Sequence, residues 1–156
     1  MTAAIWRIAT VTPSHGADDL SGAAAKLTGG RWNSSGVPVV DCSENISLAL
    51  LETIVHLRSG SLPFNRYLVK VEVPGSIWSA RHILDPAPAG WDAQPRGLPS
   101  IQAGDAWCRA GKTALLQVPS VIMPDECNIL INPLHPDASK IVATMLKRWL
   151  YDARPF

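Results

Sequence analysis

Hydrophobic residues along this chain fall in short clusters whose spacing alternates between the period of a strand and that of a helix. Ile5-Trp6-Arg7-Ile8 predicts a short opening strand. A polar, Gly-containing stretch follows, with a brief helix expected around Ala17–Lys26. Gly29-Gly30 reads as a turn into Arg31-Trp32-Asn33, and Val37-Pro38-Val39-Val40 as a buried strand with its proline near the start. Ile46, Leu50, Ile54 and Leu57 recur at helical spacing. They predict a helix capped by Ser43, favoured at its positive end by Glu44 and stopped at Ser59-Gly60. Arg66–Val73 alternates around Tyr67, Val69, Val71 and Val73, which predicts a strand. Asp85–Pro99 carries four prolines and predicts a surface loop. Ile101–Ala110 then predicts a helix, and Ala114–Val118 and Cys127–Ile131 predict strands. Ile141–Tyr151 fits a helix through Ile141, Met145 and Trp149 and a strand through its alternation; both stay open. Strands and helices mixed without a repeating βαβ rhythm predict an α+β fold.

Composition narrows the classes. A length of 156 residues fits one domain spanning 1–156, and no repeat, charge block or low-complexity linker divides it. Hydrophobic residues at 47% and charged ones at 17% mark a globular chain. Eleven glycines and thirteen prolines cut it into short elements and argue against a helical bundle. Fourteen basic against thirteen acidic side chains leave a net charge of +1, too little basic excess for a protein that tracks phosphate backbones. Met1-Thr-Ala-Ala-Ile-Trp-Arg7 lacks a basic n-region and an apolar h-region, so no secretory signal is expected. Leu48-Ala-Leu-Leu51 is far short of a membrane span. Cys42, Cys108 and Cys127 form no CxxC or similar pattern, so free thiols in a reducing, cytoplasmic compartment and no metal are expected.

Four places carry candidate chemistry. Glu52 sits mid-helix among Leu48, Leu51, Val55 and His56, on the face opposite the Ile46/Leu50/Ile54 stripe. A carboxylate on an apolar face lies either at a wet edge or in a cleft with a specific partner. His56, one turn on, reads as a hydrogen-bonded structural histidine or as part of that cleft. Arg31 follows two glycines, which permit close backbone approach, and its planar fork suits an anion. Ser120 has no GxSxG elbow around it, so it reads as a hydrogen-bond donor in a cleft rather than a nucleophile. Asn128–Pro136 gathers Asn132 and His135 where a strand ends in a proline-bounded turn.

These pieces occur together in a known order. Gly29-Gly-Arg-Trp-Asn33, Gly36-Val-Pro-Val-Val40, Leu48-Ala-Leu-Leu-Glu52 with Val55-His56, Val118-Pro-Ser120 and Asn128-Ile-Leu-Ile-Asn-Pro-Leu-His-Pro136 resemble the RES-domain family, from about Ile5 to Phe156. The Arg, Glu and Ser of the family's name fall on Arg31, Glu52 and Ser120. The resemblance implies a toxin of a bacterial type II toxin–antitoxin pair. It implies a fold like that of ADP-ribosyltransferases, a mixed or antiparallel β core with flanking helices. It further implies growth arrest through NAD⁺, whose nicotinamide–ribose bond is cleaved by a glycohydrolase or phosphorylase, with protein ADP-ribosylation as the alternative. Arg31 and Glu52 are then the expected catalytic residues with Ser120 and Asp41, and Arg31 again with Trp32, Asn33, Arg7, His56, Asn132 and His135 the expected NAD⁺-binding shell. The implied partner is an Xre-like helix-turn-helix antitoxin that plugs the active site. DNA is contacted through that antitoxin alone, no membrane is involved, and a homodimer stays open.

One position departs from the pattern. The family usually has Tyr after the Val-Val strand, where this chain has Asp41. An aspartate offers no ring and adds negative charge beside an anionic dinucleotide. Either this copy is impaired and acts by binding its antitoxin, or another aromatic such as Trp32 supplies the stacking surface.

Overall fold

Strand β1 (Thr2–Thr10) runs through the middle of a seven-stranded sheet in a computed structural model that describes residues 1–55 and 65–151. After it come helix α1 (Ala23–Thr28), strand β2 (Val40–Ser43), helix α2 (Ile46–Ile54) and strand β3 (Arg66–Pro74). Helix α3 (Gly75–Ser79), strand β4 (His82–Ile83) and helix α4 (Leu98–Ala110) follow, then strands β5 (Leu115–Pro119), β6 (Cys127–Ile131) and β7 (Val142–Arg148). A 3₁₀ turn spans Pro136–Lys140 before the last strand. The strand order is β4-β5-β6-β2-β1-β3-β7, antiparallel throughout except for the parallel β4–β5 pair. The expected α+β class holds. Among the described residues no helix is long and apolar enough to cross a membrane.

The sheet is joined unevenly. β1 pairs with β3 along its whole length, from Thr2↔Pro74 to Thr10↔Arg66, but with β2 at one residue pair, Trp6↔Ser43. Two half-sheets, β4-β5-β6-β2 and β1-β3-β7, therefore meet at one rung and diverge beyond it. Period-two alternation sends Ile5, Val40, Cys42, Val69, Val71, Leu115, Ile129 and Ile131 into one core, and Val39, Leu116, Val118 and Leu130 into another on the opposite face. Trp32, Trp107 and Cys108 close this second core, so α4 and the loop after α1 pack together over it.

Several elements differ from the sequence expectation for identifiable reasons. β2 starts at Val40 rather than Val37, because Pro38 has no N–H for the ladder and pairing begins beyond it, at Val40↔Ile131. Asn45, not Ser43, caps α2, its side chain accepting from Leu48 N at 2.8 Å. Ser43 belongs to β2. The expected stop at Ser59-Gly60, with Leu57, lies outside the described residues. α2 buries Leu48 and Ala49, while Ile46, Leu50 and Ile54 are half-buried. A helix that is apolar all round gives no periodic signal for which face turns inward. α1 lies later than expected, and α4 begins earlier, with Pro99 in its first turn. The ambiguous C-terminal segment is strand β7, paired with β3. Its mostly exposed edge position blurs the alternation that would have marked it.

Candidate active site

The two half-sheets diverge into a cleft of about 950 Å³. Residues of β1 and β2 line it on either side of the fork, α2 lines a third wall, and the segment Gly29–Trp32 and the loop before α4 close it. Glu52 and Arg31, 21 positions apart in sequence, both face this space.

Glu52 is held from two strands of the half-sheet beside it. Ser120, just past the end of β5, donates Oγ–H to Glu52 Oε1 at 2.7 Å, and Asn128 at the start of β6 donates Nδ2–H to the same oxygen at 2.7 Å. Asn128 is oriented in turn by Ser43, whose hydroxyl donates to Asn128 Oδ1 at 2.8 Å. Ser120 Oγ also accepts from the backbone N–H groups of Ile122 and Met123, each at 3.2 Å. The donors thus converge on Oε1, while Oε2 has no hydrogen bond among the described residues. Ser120 is fully buried and does not line the cleft. It stands behind Glu52 and braces the carboxylate.

Arg31 is placed by a loop with little freedom. Gly29 ends α1 at φ +70°, a left-handed conformation that favours glycine, and donates to Ala25 O at 2.8 Å. Gly30 N donates to Asn33 O at 2.9 Å, which closes a tight turn around Arg31 and Trp32. Ser34, next in the chain, is fastened to α4: Asp105 accepts from Ser34 N at 2.9 Å and from Ser34 Oγ at 2.6 Å. Gly104 lies so close beneath that a Cβ there would overlap the Trp32 carbonyl. Arg31 Nη1 donates to the carbonyls of Trp91 at 2.8 Å and Ala93 at 3.0 Å, tying the loop before α4 to this turn. Burial lowers the Arg31 pKa from its ordinary value, opposed by Glu52, whose charge is felt across the cleft. The guanidinium keeps its charge at neutral pH.

The remaining expected residues divide. Arg7, Trp32 and Asp41 line the cleft with Arg31 and Glu52. Arg7 Nε is buried and has no hydrogen-bond partner among the described residues. Asp41 is exposed on β2, opposite Leu130. Trp32 is largely buried and stacks on Trp91, with ring centroids 6.1 Å apart and planes 20° from parallel. Asn33, Asn132 and His135 do not line the cleft. Asn33 Nδ2 donates to Ala25 O and Val37 O at 2.9 Å each and holds the turn together. Asn132 donates to Cys108 O and accepts from Leu134 N, both at 3.0 Å, inside the core. His135 Nδ1 accepts from Asp137 N at 3.0 Å and caps the 3₁₀ turn. His56 lies outside the described residues.

Sequence reasoning missed Asn128 and Arg96 as cleft residues. Asn128 shares β6 parity with Leu130, so a polar residue there points to the same face as the second core, a signal available in the Cys-Asn-Ile-Leu-Ile pattern. Arg96 lies in the proline-rich loop, where no periodicity indicates which way a side chain turns.

An α+β sheet split by a cleft, with a braced carboxylate and an arginine turn on its walls, agrees with the RES domain, whose family model matches residues 4–153. The chain belongs to the RES-domain family. It is 54% identical over 156 residues to the "Prs ADP-ribosylating toxin" of Sphingobium sp. (strain YBL2), covering 99% of this chain and 97% of that protein. It is 34% identical over 125 residues to the "Toxin Res" of Photorhabdus laumondii, 80% of each chain, and 35% identical over 136 residues to the "Toxin Res" of Pseudomonas putida, 86% and 87% of the two chains. The chain is a RES toxin-family protein.

Proposed function

We propose that this protein is a toxin that breaks the nicotinamide–ribose bond of NAD⁺ in the cleft between its half-sheets and passes ADP-ribose to a protein acceptor. The observation that carries this is the Glu52 carboxylate, with Oε1 fixed by Ser120 and Asn128 and Oε2 without a hydrogen bond among the described residues. Cleavage leaves the bonding pair on nicotinamide, which departs neutral, and positive character develops at C1′ of the ribose. A preorganised carboxylate stabilises that character, directly or by accepting from a ribose hydroxyl. The acceptor's lone pair then forms the new bond to C1′ and its proton passes to solvent. Arg31 and Arg7, both on the cleft wall, supply donors and positive charge for the pyrophosphate.

Transfer to protein is favoured over water or phosphate by the name of the Sphingobium relative, which is similar over nearly its whole length. Prs is therefore the first acceptor to test. The two proteins named Toxin Res support pairing with an antitoxin, for which the open cleft is the natural plug site. The test is incubation with NAD⁺ labelled in its adenylate half, with and without phosphate and with and without Prs. Nicotinamide release with label on protein is expected. Release with free ADP-ribose or ADP-ribose 1″-phosphate instead assigns water or phosphate as acceptor, and no release under any condition overturns the reading.

A further inference from the structure

The loop between β4 and α4 brings a second arginine to the cleft. Gln94, Pro95 and Arg96 line its rim. The loop is fixed at both ends of this stretch. Upstream, Arg31 Nη1 holds the Trp91 and Ala93 carbonyls and Trp91 stacks on Trp32. Downstream, Gly97 leads directly into α4, which is packed against the Arg31–Ser34 turn through Gly104 and Asp105. Arg96 is thus an exposed side chain on an anchored backbone. Among the described residues no carboxylate pairs with it at ion-pair distance.

Arg31 and Arg96 line the same cleft and feel each other's charge, with Glu52 and Asp92 opposing at Arg31, and an anion between the two guanidinium groups would relieve their repulsion. The cleft walls carry Arg7, Arg31, Arg66 and Arg96 against Asp41 and Glu52, an excess of two positive charges in a chain whose net charge is +1. Since Arg31 Nη1 is bonded to two loop carbonyls, part of its fork is committed to the loop. We propose that Arg96 is a phosphate-contacting residue for the pyrophosphate of a dinucleotide, and that Arg31 is also the positioning residue that holds Arg96 in place. This rests on the NAD⁺ reading above.

The test is calorimetric titration of the purified full chain and its Arg96→Ala, Arg31→Ala and double variants with ADP-ribose, beside the NAD⁺ assay. Arg96→Ala is expected to weaken ADP-ribose binding about ten- to a hundredfold, as loss of a charged hydrogen bond does, while the circular dichroism spectrum stays unchanged. Its KM for NAD⁺ is expected to rise with kcat within about twofold, and its binding to depend less steeply on salt. The double variant is expected to lose less than the product of the two single losses. Equal affinity of wild type and Arg96→Ala for ADP-ribose overturns the Arg96 assignment and leaves the activity standing, and multiplicative losses overturn the positioning role. Tight ADP-ribose binding that weakens in Arg96→Ala, without NAD⁺ turnover by the wild type, overturns the activity and supports Arg96. Absence of ADP-ribose binding to the wild type overturns the Arg96 assignment, and nicotinamide release in the NAD⁺ assay then decides the activity.

Discussion

Ser120 Oγ lies 2.7 Å from Glu52 Oε1, although the serine has no exposed surface of its own. The hydroxyl passes the rigidity of β5 to a carboxylate on α2 from behind the cleft wall. Replacing it with alanine leaves Ile122 N and Met123 N without their acceptor and Glu52 with Asn128 as its remaining donor. Ser120→Ala is expected to cost about 1–3 kcal/mol of stability in urea unfolding. Turnover should suffer more in kcat than in KM, since a loosened carboxylate is felt most in the transition state. Unchanged kcat in this variant contradicts the positioning role.

Glu52→Gln separates charge from shape. The amide oxygen still accepts from Ser120 and Asn128, so circular dichroism and thermal midpoint should stay near wild type. NAD⁺ consumption should fall on the order of 10²–10³-fold, the usual effect of removing one preorganised electrostatic contact. Near-native turnover in the folded variant would remove Glu52 from the mechanism.

Gly104→Ala tests the brace under Arg31. An added methyl overlaps the Trp32 carbonyl, and backbone on both sides has little room to give. A loss of about 1–3 kcal/mol is expected, as for other overpacked sites. Activity should drop as well, because the displaced turn carries Arg31 and, through it, the loop bearing Arg96. Ala103→Gly, on the same helix, serves as the comparison and should leave turnover intact. A Gly104→Ala protein that unfolds like wild type shows that the contact yields.

Burial pushes the Cys42 thiol up to about 12, with Arg7 opposing and Asp41 adding to the shift. A thiol that holds its proton more tightly in the folded state stabilises fully below its ordinary pKa near 9. That contribution is lost as pH rises from about 9 through about 12, by at most about 1.4 kcal/mol per pH unit. Urea midpoints measured from pH 8 to 11 should decline more steeply for wild type than for Cys42→Ala. Parallel declines mean that the buried thiol is not the group responsible.

Asp41→Tyr places on the cleft wall the aromatic that the sequence resemblance leads one to expect there. If the aspartate impairs this copy, the variant should consume NAD⁺ at least tenfold faster than the natural chain, measured as nicotinamide released. Equal rates discard the impairment and leave stacking to an aromatic already in the cleft, such as Trp6 or Trp32.

Much of the scaffold was legible because its signals are local. β3 alternates from Val69 to Val73, β6 was read with its observed ends, and α2 announces itself by helical spacing. The joint position of Arg31 and Glu52 came from motif order rather than from periodicity, which carries no information on how distant segments meet. Less legible were the surroundings of individual polar side chains. Asn33, Asn132 and His135 are as polar as Asn128, yet three of them satisfy turns and caps while the fourth holds the carboxylate. The difference lies in tertiary packing. The dipeptide-sized β4 and the short α3 gave too few residues for any period to register.

The lone rung between Trp6 and Ser43 has a mechanical meaning. The backbone ladder contributes one rung here and the shared core around Ile5, Val40, Cys42, Val69 and Ile129 does the rest of the joining, so whatever fills the fork adds a second joint between the two blocks of strands. A bound dinucleotide or an inserted antitoxin segment would raise the unfolding temperature of both blocks together, in step with its occupancy.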